Sequence, residues 1–145
     1  MACSAHMRCL VGMVCLCLYG CASSVPPPAT PPPLPLANRI AKPDPGRYAT
    51  YRDSWHEWKN LRLIMSTKGI EVLISDAVHG PKVKPESVID VLARTRNTDW
   101  PFGLVVMVVT ASLDSGDNGQ VERNRAVLLR ELGISGVQIV WGPPA

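Results

Sequence analysis

The stretch Gly103-Leu-Val-Val-Met-Val-Val109 decides the fold of this chain. Every residue after the glycine is apolar, and four of the six are the β-branched residue valine. An apolar run without polar alternation is typical of a strand that is covered on both of its faces, as strands inside a sheet are. The sequence therefore predicts a central strand at 103–109.

Two elements are predicted before this strand. Apolar, β-branched runs at 61–65 and 70–75 flank a short polar turn, and Gly69 in that turn adopts a positive φ at little cost, so a β-hairpin is expected. Further on, Pro85 precedes a stretch at 88–93 whose apolar residues follow a helical period. Proline in the first turn suits a helix start.

Two more elements are predicted after the central strand. The stretch 121–132 places its apolar residues on one helical face, and Gly133 is expected to end that helix. A last apolar run at 137–141 predicts a strand. The order hairpin, helix, strand, helix, strand predicts an α/β fold: a small sandwich in which two helices pack on a mixed β-sheet.

The N-terminal segment has the pattern of a secretory signal. All five cysteines lie within the first 21 residues, and a basic residue precedes the apolar run 9–19, which is too short to span a bilayer. The string Leu18-Tyr19-Gly20-Cys21 resembles the lipobox of bacterial lipoproteins. The resemblance implies that residues 1–20 are removed and that acyl chains on Cys21, palmitate among them, anchor the protein to a membrane.

The residues after Cys21 refine that expectation. Ala22 and Ser23 follow it, and neither is the aspartate associated with inner-membrane retention, so an outer-membrane anchor with the domain in the periplasm is predicted. Seven of the 14 prolines lie between Pro26 and Pro35. Such a stretch favours a polyproline II rod, and residues 21–46 are predicted to be a tether. A ligand for an aromatic groove is the alternative.

The first part of the remaining chain, 47–145, is rich in aromatic residues. Tyr48, Tyr51, Trp55 and Trp58 are spaced three or four apart, which predicts one short amphipathic helix. Their rings either pack on the domain or form an exposed aromatic face that docks a partner.

Three stretches of the chain resemble one family. Asn118-Gly-Gln-Val121-Glu122-Arg-Asn-Arg125-Ala126 matches the pattern Asn, two variable residues, Leu-Ser, two variable residues, Arg-Ala, with Val for Leu and Glu for Ser. Val109-Thr-Ala-Ser-Leu-Asp114 stands where that family has Val, a variable residue and Gly-His-Thr-Asp, and 67–76 is similar to its opening strand. Residues 61–142 thus resemble the C-terminal domain of OmpA-like proteins, which include the peptidoglycan-associated lipoprotein and MotB.

The resemblance implies a binding site for peptidoglycan. In the family, an aspartate and an arginine grip the diaminopimelate of a stem peptide. By resemblance, Asp114 accepts a hydrogen bond from the ligand ammonium, Arg125 holds its carboxylate, and Asn118 stabilises the loop or contacts the ligand. A zwitterionic centre needs one anion and one cation, and arginine offers a planar fork for a carboxylate.

Three departures from the family pattern qualify this site. The loop between Asp114 and Asn118 is shorter than in the family, so Asp117 is an alternative to Asp114. Leucine takes the place of the family threonine, and Glu122 forms an i,i+3 pair that competes for Arg125. A family fold that has lost its ligand is therefore the alternative to a working site.

Other classes of function are not supported by the sequence. The formal net charge is +3 and the charges are mixed in sign along the domain, so no basic stripe indicates nucleic acid. Histidine is scarce, no free thiol remains after Cys21, and no nucleophile elbow or phosphate loop occurs, so no enzyme activity and no cofactor are expected. The acidic loop at 114–119 lacks the ligand spacing of an EF-hand, so no metal site is expected either.

Two functions remain open. The first is an outer-membrane lipoprotein whose periplasmic domain binds peptidoglycan non-covalently and anchors the envelope. The second is a structural or docking lipoprotein of an envelope-spanning secretion or conjugation complex, with a degenerate peptidoglycan site and aromatic anchors at its interface.

Overall fold

The structure is a computed structural model that describes residues 35–54, 56–74, 80–111 and 118–144. All of them belong to one compact unit, Pro32–Ala145. The predicted signal peptide, Cys21, most of the predicted proline-rich tether, Trp55, Asp114 and Asp117 lie outside the described residues. None of the helices in the described part of the chain combines the length and the hydropathy of a membrane span.

The described chain contains five strands, four α-helices and three short 3₁₀ turns. The helices are α1 (Leu36–Arg39), α2 (Pro45–Tyr48), α3 (Val88–Ala93) and α4 (Asn118–Ile134). The strands are β1 (Arg62–Ser66), β2 (Gly69–Leu73), β3 (Lys82–Val83), β4 (Val105–Thr110) and β5 (Gln138–Trp141). The 3₁₀ turns are Ala49–Tyr51, Pro85–Ser87 and Asn97–Asp99.

The strands form one mixed sheet in the order β3-β2-β1-β4-β5. β1 and β2 are antiparallel and are joined at Ser66 and Gly69, with φ of 123° at Gly69, so the predicted hairpin is confirmed. β4 is parallel to both β1 and β5. The predicted α/β fold, a mixed sheet with helices packed on it, is therefore confirmed, although β1 and not β4 occupies the middle position.

The alternating residues of β4 serve two separate cores. Val106 and Val108 point to one face of the sheet, and Val105, Met107 and Val109 point to the other. All five are fully buried. This two-sided burial confirms the prediction that was made from the unbroken apolar run.

One face of the sheet, here called the helix face, is covered by α3 and α4 with α1 beside them. Leu92 of α3 and Leu128 of α4 are completely buried in a largely aliphatic core that includes Leu36 of α1 and the ring of Trp100. Arg39 of α1 donates from Nη1 to the carbonyl oxygen of Thr95 at 2.7 Å, which fixes the first described helix to the end of α3.

The opposite face is covered by four rings, here called the aromatic cap: Tyr48, Tyr51, Trp58 and Phe102. The ring centroids of Trp58 and Phe102 are 5.2 Å apart, those of Tyr48 and Trp58 are 5.5 Å apart, and both pairs meet edge to face. Tyr51 stacks on Phe102 at 5.4 Å. These distances lie in the range in which aromatic pairs attract one another.

The predicted single amphipathic helix through these aromatic residues is wrong. Tyr48 ends α2, Tyr51 ends the 3₁₀ turn that follows, and Trp58 lies outside any helix. Asp44 accepts a hydrogen bond from the Gly46 amide and caps the start of α2, but only one α-helical turn forms before the chain continues as a 3₁₀ turn. Packing of the rings on the domain, the first of the two alternatives, is confirmed for Tyr48 and Trp58, which are 5% and 3% exposed.

A buried asparagine joins the aromatic cap to β4. Asn60 is completely buried, and its Nδ2 donates to the carbonyl oxygens of Gly103 at 2.8 Å and Val105 at 2.7 Å. Its Oδ1 accepts from the amide of Phe102 at 2.8 Å. Three hydrogen bonds satisfy this amide, which is what a buried polar side chain requires.

Helix α4 is longer than predicted, and the expected stop at Gly133 is wrong. The helix includes Gly133 and ends at Ile134, and Gly136, with φ of 70°, provides the left-handed residue. The amide of Val137 donates to the carbonyl oxygen of Leu132, and that of Gly136 to the carbonyl oxygen of Gly133. This pair of bonds is the Schellman arrangement, which caps the carbonyl groups at a helix end.

Candidate functional site on helix α4

Helix α4 begins where the parallel strands end. The carboxyl ends of β1, β4 and β5 meet at one edge of the sheet, which is where open α/β sheets generally bind ligands. Asn124 of α4 is 6% exposed and donates from Nδ2 to the carbonyl oxygen of Ser66 at 2.8 Å, while its Oδ1 accepts from Gln120. The first turns of α4 are thereby fixed to the β1–β2 hairpin.

Arg125 stacks on an aromatic ring at this edge. Its guanidinium carbon lies 4.5 Å from the centroid of Trp141, the last residue of β5. Trp141 pairs with Val108 in the sheet register, so its ring lies on the helix face, beside α4. A cation–π contact at an exposed position contributes about 0.5–1 kcal/mol, enough to orient the guanidinium.

The pairing of Arg125 with Glu122, expected from the sequence, is present and loose. The nearest nitrogen and oxygen are 3.8 Å apart, and the two side chains are 44% and 67% exposed. Such an exposed i,i+3 pair contributes only a few tenths of a kcal/mol. Glu122 therefore leaves most of the hydrogen-bonding capacity of Arg125 to a ligand.

The stacked guanidinium has the geometry to hold a carboxylate. Stacking uses the flat face of the group, whereas its N–H donors lie in its plane. A carboxylate that approaches along the plane accepts two parallel hydrogen bonds, the arrangement that gives arginine–carboxylate pairs their specificity. Arg125 and Trp141 together are thus suited to a ligand with a carboxylate beside an apolar segment.

A polar recess also lies at the end of the sheet where the parallel strands have their carboxyl ends. Its volume is about 310 Å³, and its lining includes Lys68, Lys84, Glu86, Gln120 and Asn124. Two lysines face one glutamate there, so the recess is electropositive. The recess lies beside the β1–β2 turn, with Lys68 and Gly69 of that turn in its lining.

The structure locates the predicted site residues as follows. Asn118 is the first residue of α4, and Arg125 lies two turns later on the same helix. Asp114 and Asp117 fall outside the described residues. Within the described ranges, no group of three or more His, Cys, Asp or Glu side chains is placed to hold a metal ion.

Trp141 is the residue that sequence reasoning missed. It was assigned only as the end of the last strand, because no local pattern links it to Arg125. The signal was nevertheless present, since parallel strands place their carboxyl ends at one edge and α4 starts at that edge. An aromatic residue at the end of β5 was therefore a candidate neighbour for the first turns of α4.

Comparison with known proteins identifies no relative of this chain. No family model, curated protein or solved structure matches the chain.

Proposed function

We propose that this chain is an outer-membrane lipoprotein, anchored through Cys21, whose OmpA-like periplasmic domain binds peptidoglycan non-covalently. The observation that supports it best is the half-exposed Arg125, stacked on Trp141 at the carboxyl edge of the sheet. Arg125 stands on the helix whose Asn118 to Ala126 pattern resembles the peptidoglycan-binding family. Together, a membrane anchor, a proline-rich tether and a site that binds a carboxylate would link the membrane to the cell wall.

In this proposal the ligand is the stem peptide. Arg125 holds its diaminopimelate carboxylate, Asp114 accepts from its ammonium group, and Asn118 holds the loop between them. The Trp141 ring offers a flat surface for the aliphatic part of the same residue. A hydrogen bond to a charged group contributes about 1.5–3 kcal/mol, so loss of Arg125 weakens binding by roughly tenfold to a hundredfold.

The test is co-sedimentation of the detergent-extracted full chain with purified sacculi. We expect Arg125→Ala to weaken binding about tenfold or more, and Arg125→Lys to fall between it and the wild type, because lysine keeps the charge and loses the fork. Asp114→Ala is expected to weaken binding as well.

Arg130→Ala is the matched control for this test. Arg130 lies on the same helix and is also exposed, but its guanidinium pairs with Glu131 at 2.7 Å. Both variants remove one positive charge from α4, so a general charge effect would weaken them equally. Unchanged sacculus binding by Arg125→Ala, or equal loss in both variants, would contradict the proposal.

The alternative function, a docking subunit of an envelope-spanning complex, is motivated by the degenerate loop before α4 together with exposed aromatic anchors. Tyr48 and Trp58 are buried in the aromatic cap, and so they do not form such anchors. A different feature, the outer edge of β5, favours a protein partner.

A further inference from the structure

The two outer strands of the sheet, β3 and β5, are protected to different degrees against pairing with a strand of another chain. The β3 edge is only two residues long, carries Lys82 paired with Glu71 at 3.7 Å, and lies between Pro81 and Lys84. Short length, lysine and proline are the features by which proteins keep edges from pairing with other chains. The β5 edge is longer, with the sequence Gln-Ile-Val-Trp, and has no charge or proline within the strand, although Pro143 and Pro144 follow one residue after its end.

The backbone of β5 offers hydrogen-bonding groups to an incoming strand. The amides of Gln138 and Gly142 donate to β4, at 3.0 Å to Leu104 and 2.9 Å to Val108. Since successive residues of a strand direct their backbone groups to opposite sides, those of Ile139 and Trp141 point away from β4. In the part of the chain that the structure describes, no strand lies beyond β5.

The β5 edge is flanked by one arginine on each face. On the capped side, a groove of about 580 Å³ follows the strand between Tyr48 and Val140, and Arg52 is the one charged residue among its lining residues. Arg52 is exposed and forms no ion pair within the described residues. On the helix side, Arg125 lies over Trp141.

We propose that the β5 edge binds an extended, acidic segment of a partner protein, which adds to the sheet as a sixth strand. The main chain of that segment pairs with Ile139 and Trp141, and its side chains alternate between the two faces. Carboxylates on both faces meet Arg52 and Arg125. A second copy of this chain fits less well, because it would bring its own arginines to the same edge, where like charges repel.

The proposal goes beyond wall binding and is separable from it. Arg125 belongs to both proposals, whereas Arg52 and the outward backbone of β5 belong only to this one. A variant at Arg52 therefore affects the partner segment and leaves sacculus binding unchanged.

The probe is a blocked, fluorescently labelled octapeptide of valine and threonine with glutamates on both faces of the extended strand, and its binding to the detergent-extracted full chain is followed by anisotropy. We expect the same peptide with lysines in place of glutamates to bind at least about tenfold more weakly, because opposite charges become like charges. Arg52→Glu is expected to weaken binding about fivefold or more. Arg47→Glu, an exposed residue of α2 outside the groove, is the matched control and is expected to bind as the wild type does.

Two further measurements test the strand pairing itself. N-methylation of the peptide at the amides that face β5 removes the hydrogen bonds and keeps the charges, so binding should fall at least about tenfold. Hydrogen exchange should show new protection at the amides of Ile139 and Trp141.

Equal binding of the methylated or the lysine peptide, equal loss in Arg47→Glu, or protection at β3 instead would overturn the proposal. Protection of β5 through self-association without peptide would overturn it in favour of a second copy.

Discussion

The two faces of the sheet reach the same degree of burial by different means. The helix face is covered by regular helices that contribute aliphatic side chains such as Leu92 and Leu128. The capped face is covered by an irregular segment whose rings are held by directional contacts: Trp58 donates from Nε1 to the carbonyl oxygen of Leu61 at 3.2 Å, and Asn60 makes three buried hydrogen bonds. Apolar burial is tolerant of small shifts, whereas rings and buried amides depend on their positions. The two faces should therefore respond differently to substitution.

The largest effect is expected at the centre of the aromatic cap. Trp58→Ala removes a ring that contacts Tyr48 and Phe102, so we expect a loss of about 4 kcal/mol in the free energy of unfolding. Urea denaturation measures the loss. Near-ultraviolet circular dichroism should lose the bands of the packed rings at the same time, because the cap no longer has a fixed arrangement.

Leu128→Ala is the matched change on the helix face. Leu128 is completely buried, and its truncation should cost about 3 kcal/mol. The near-ultraviolet bands of the aromatic cap should persist, since its four rings lie across the sheet, whereas Trp100 packs in the same core as Leu128. Loss of those bands in Leu128→Ala would show that the two faces are not independent.

The next effect concerns the buried amide. Asn60→Leu keeps the number and branching of the side-chain heavy atoms, with bulkier methyl groups, but leaves the carbonyl oxygens of Gly103 and Val105 and the amide of Phe102 without this partner, so we expect a loss of about 3 kcal/mol. Thr95→Val on the other side of the sheet is the comparison. Its hydroxyl accepts from Trp100 Nε1 at 2.9 Å and donates to Leu92, and its loss should cost about 1.5 kcal/mol. Denaturation curves that rank Thr95→Val as the costlier change would contradict this reading of the cap.

The smallest single effect is expected at Gly136, one of two glycines with positive φ that can be compared with each other. A Cβ on Gly103 would lie 2.3 Å from the carbonyl oxygen of Lys42, where the segment before the cap crosses the start of β4. Gly103→Ala should therefore cost about 2 kcal/mol, from backbone strain and a forced shift of that segment. Gly136→Ala has no such neighbour within 4 Å and should cost about 1 kcal/mol from φ alone. Equal costs in thermal or urea unfolding would mean that the segment yields easily.

The sequence was sufficient where one local pattern determines the structure. The unbroken apolar run predicted β4, and the turn at Gly69 predicted the hairpin, because burial on two faces and a positive φ leave direct traces in the residues. β3 was not predicted, since two residues carry no periodicity. The end of α4 was predicted at Gly133, whereas the capping glycine is Gly136. A helix tolerates an exposed glycine when its left-handed cap residue lies later in the chain.

The aromatic cap and the site show why the remainder was not accessible. Tyr48, Tyr51 and Trp58 have helical spacing, yet their positions are set by contacts with Phe102, which is remote in the sequence. Arg125 was identified through a family pattern, but its contact with Trp141 depends on the sheet bringing β5 beside α4. Interactions between distant segments leave no local pattern to read.

The span of the Asn60 hydrogen bonds has a consequence for the order of folding. Asn60 reaches carbonyl oxygens 43 and 45 positions later in the chain, whereas the β1–β2 hairpin closes across a two-residue turn. Closing a long loop costs more entropy than closing a short one, so the hairpin can form first and the cap must wait for β4. In stopped-flow refolding, the change in tryptophan fluorescence assigned to Trp58 should lag behind protection of the hairpin amides. When the chain emerges with its N-terminus first, its aromatic segment is therefore exposed to water and to any chaperone nearby. It stays exposed until β4 has emerged and can bury it.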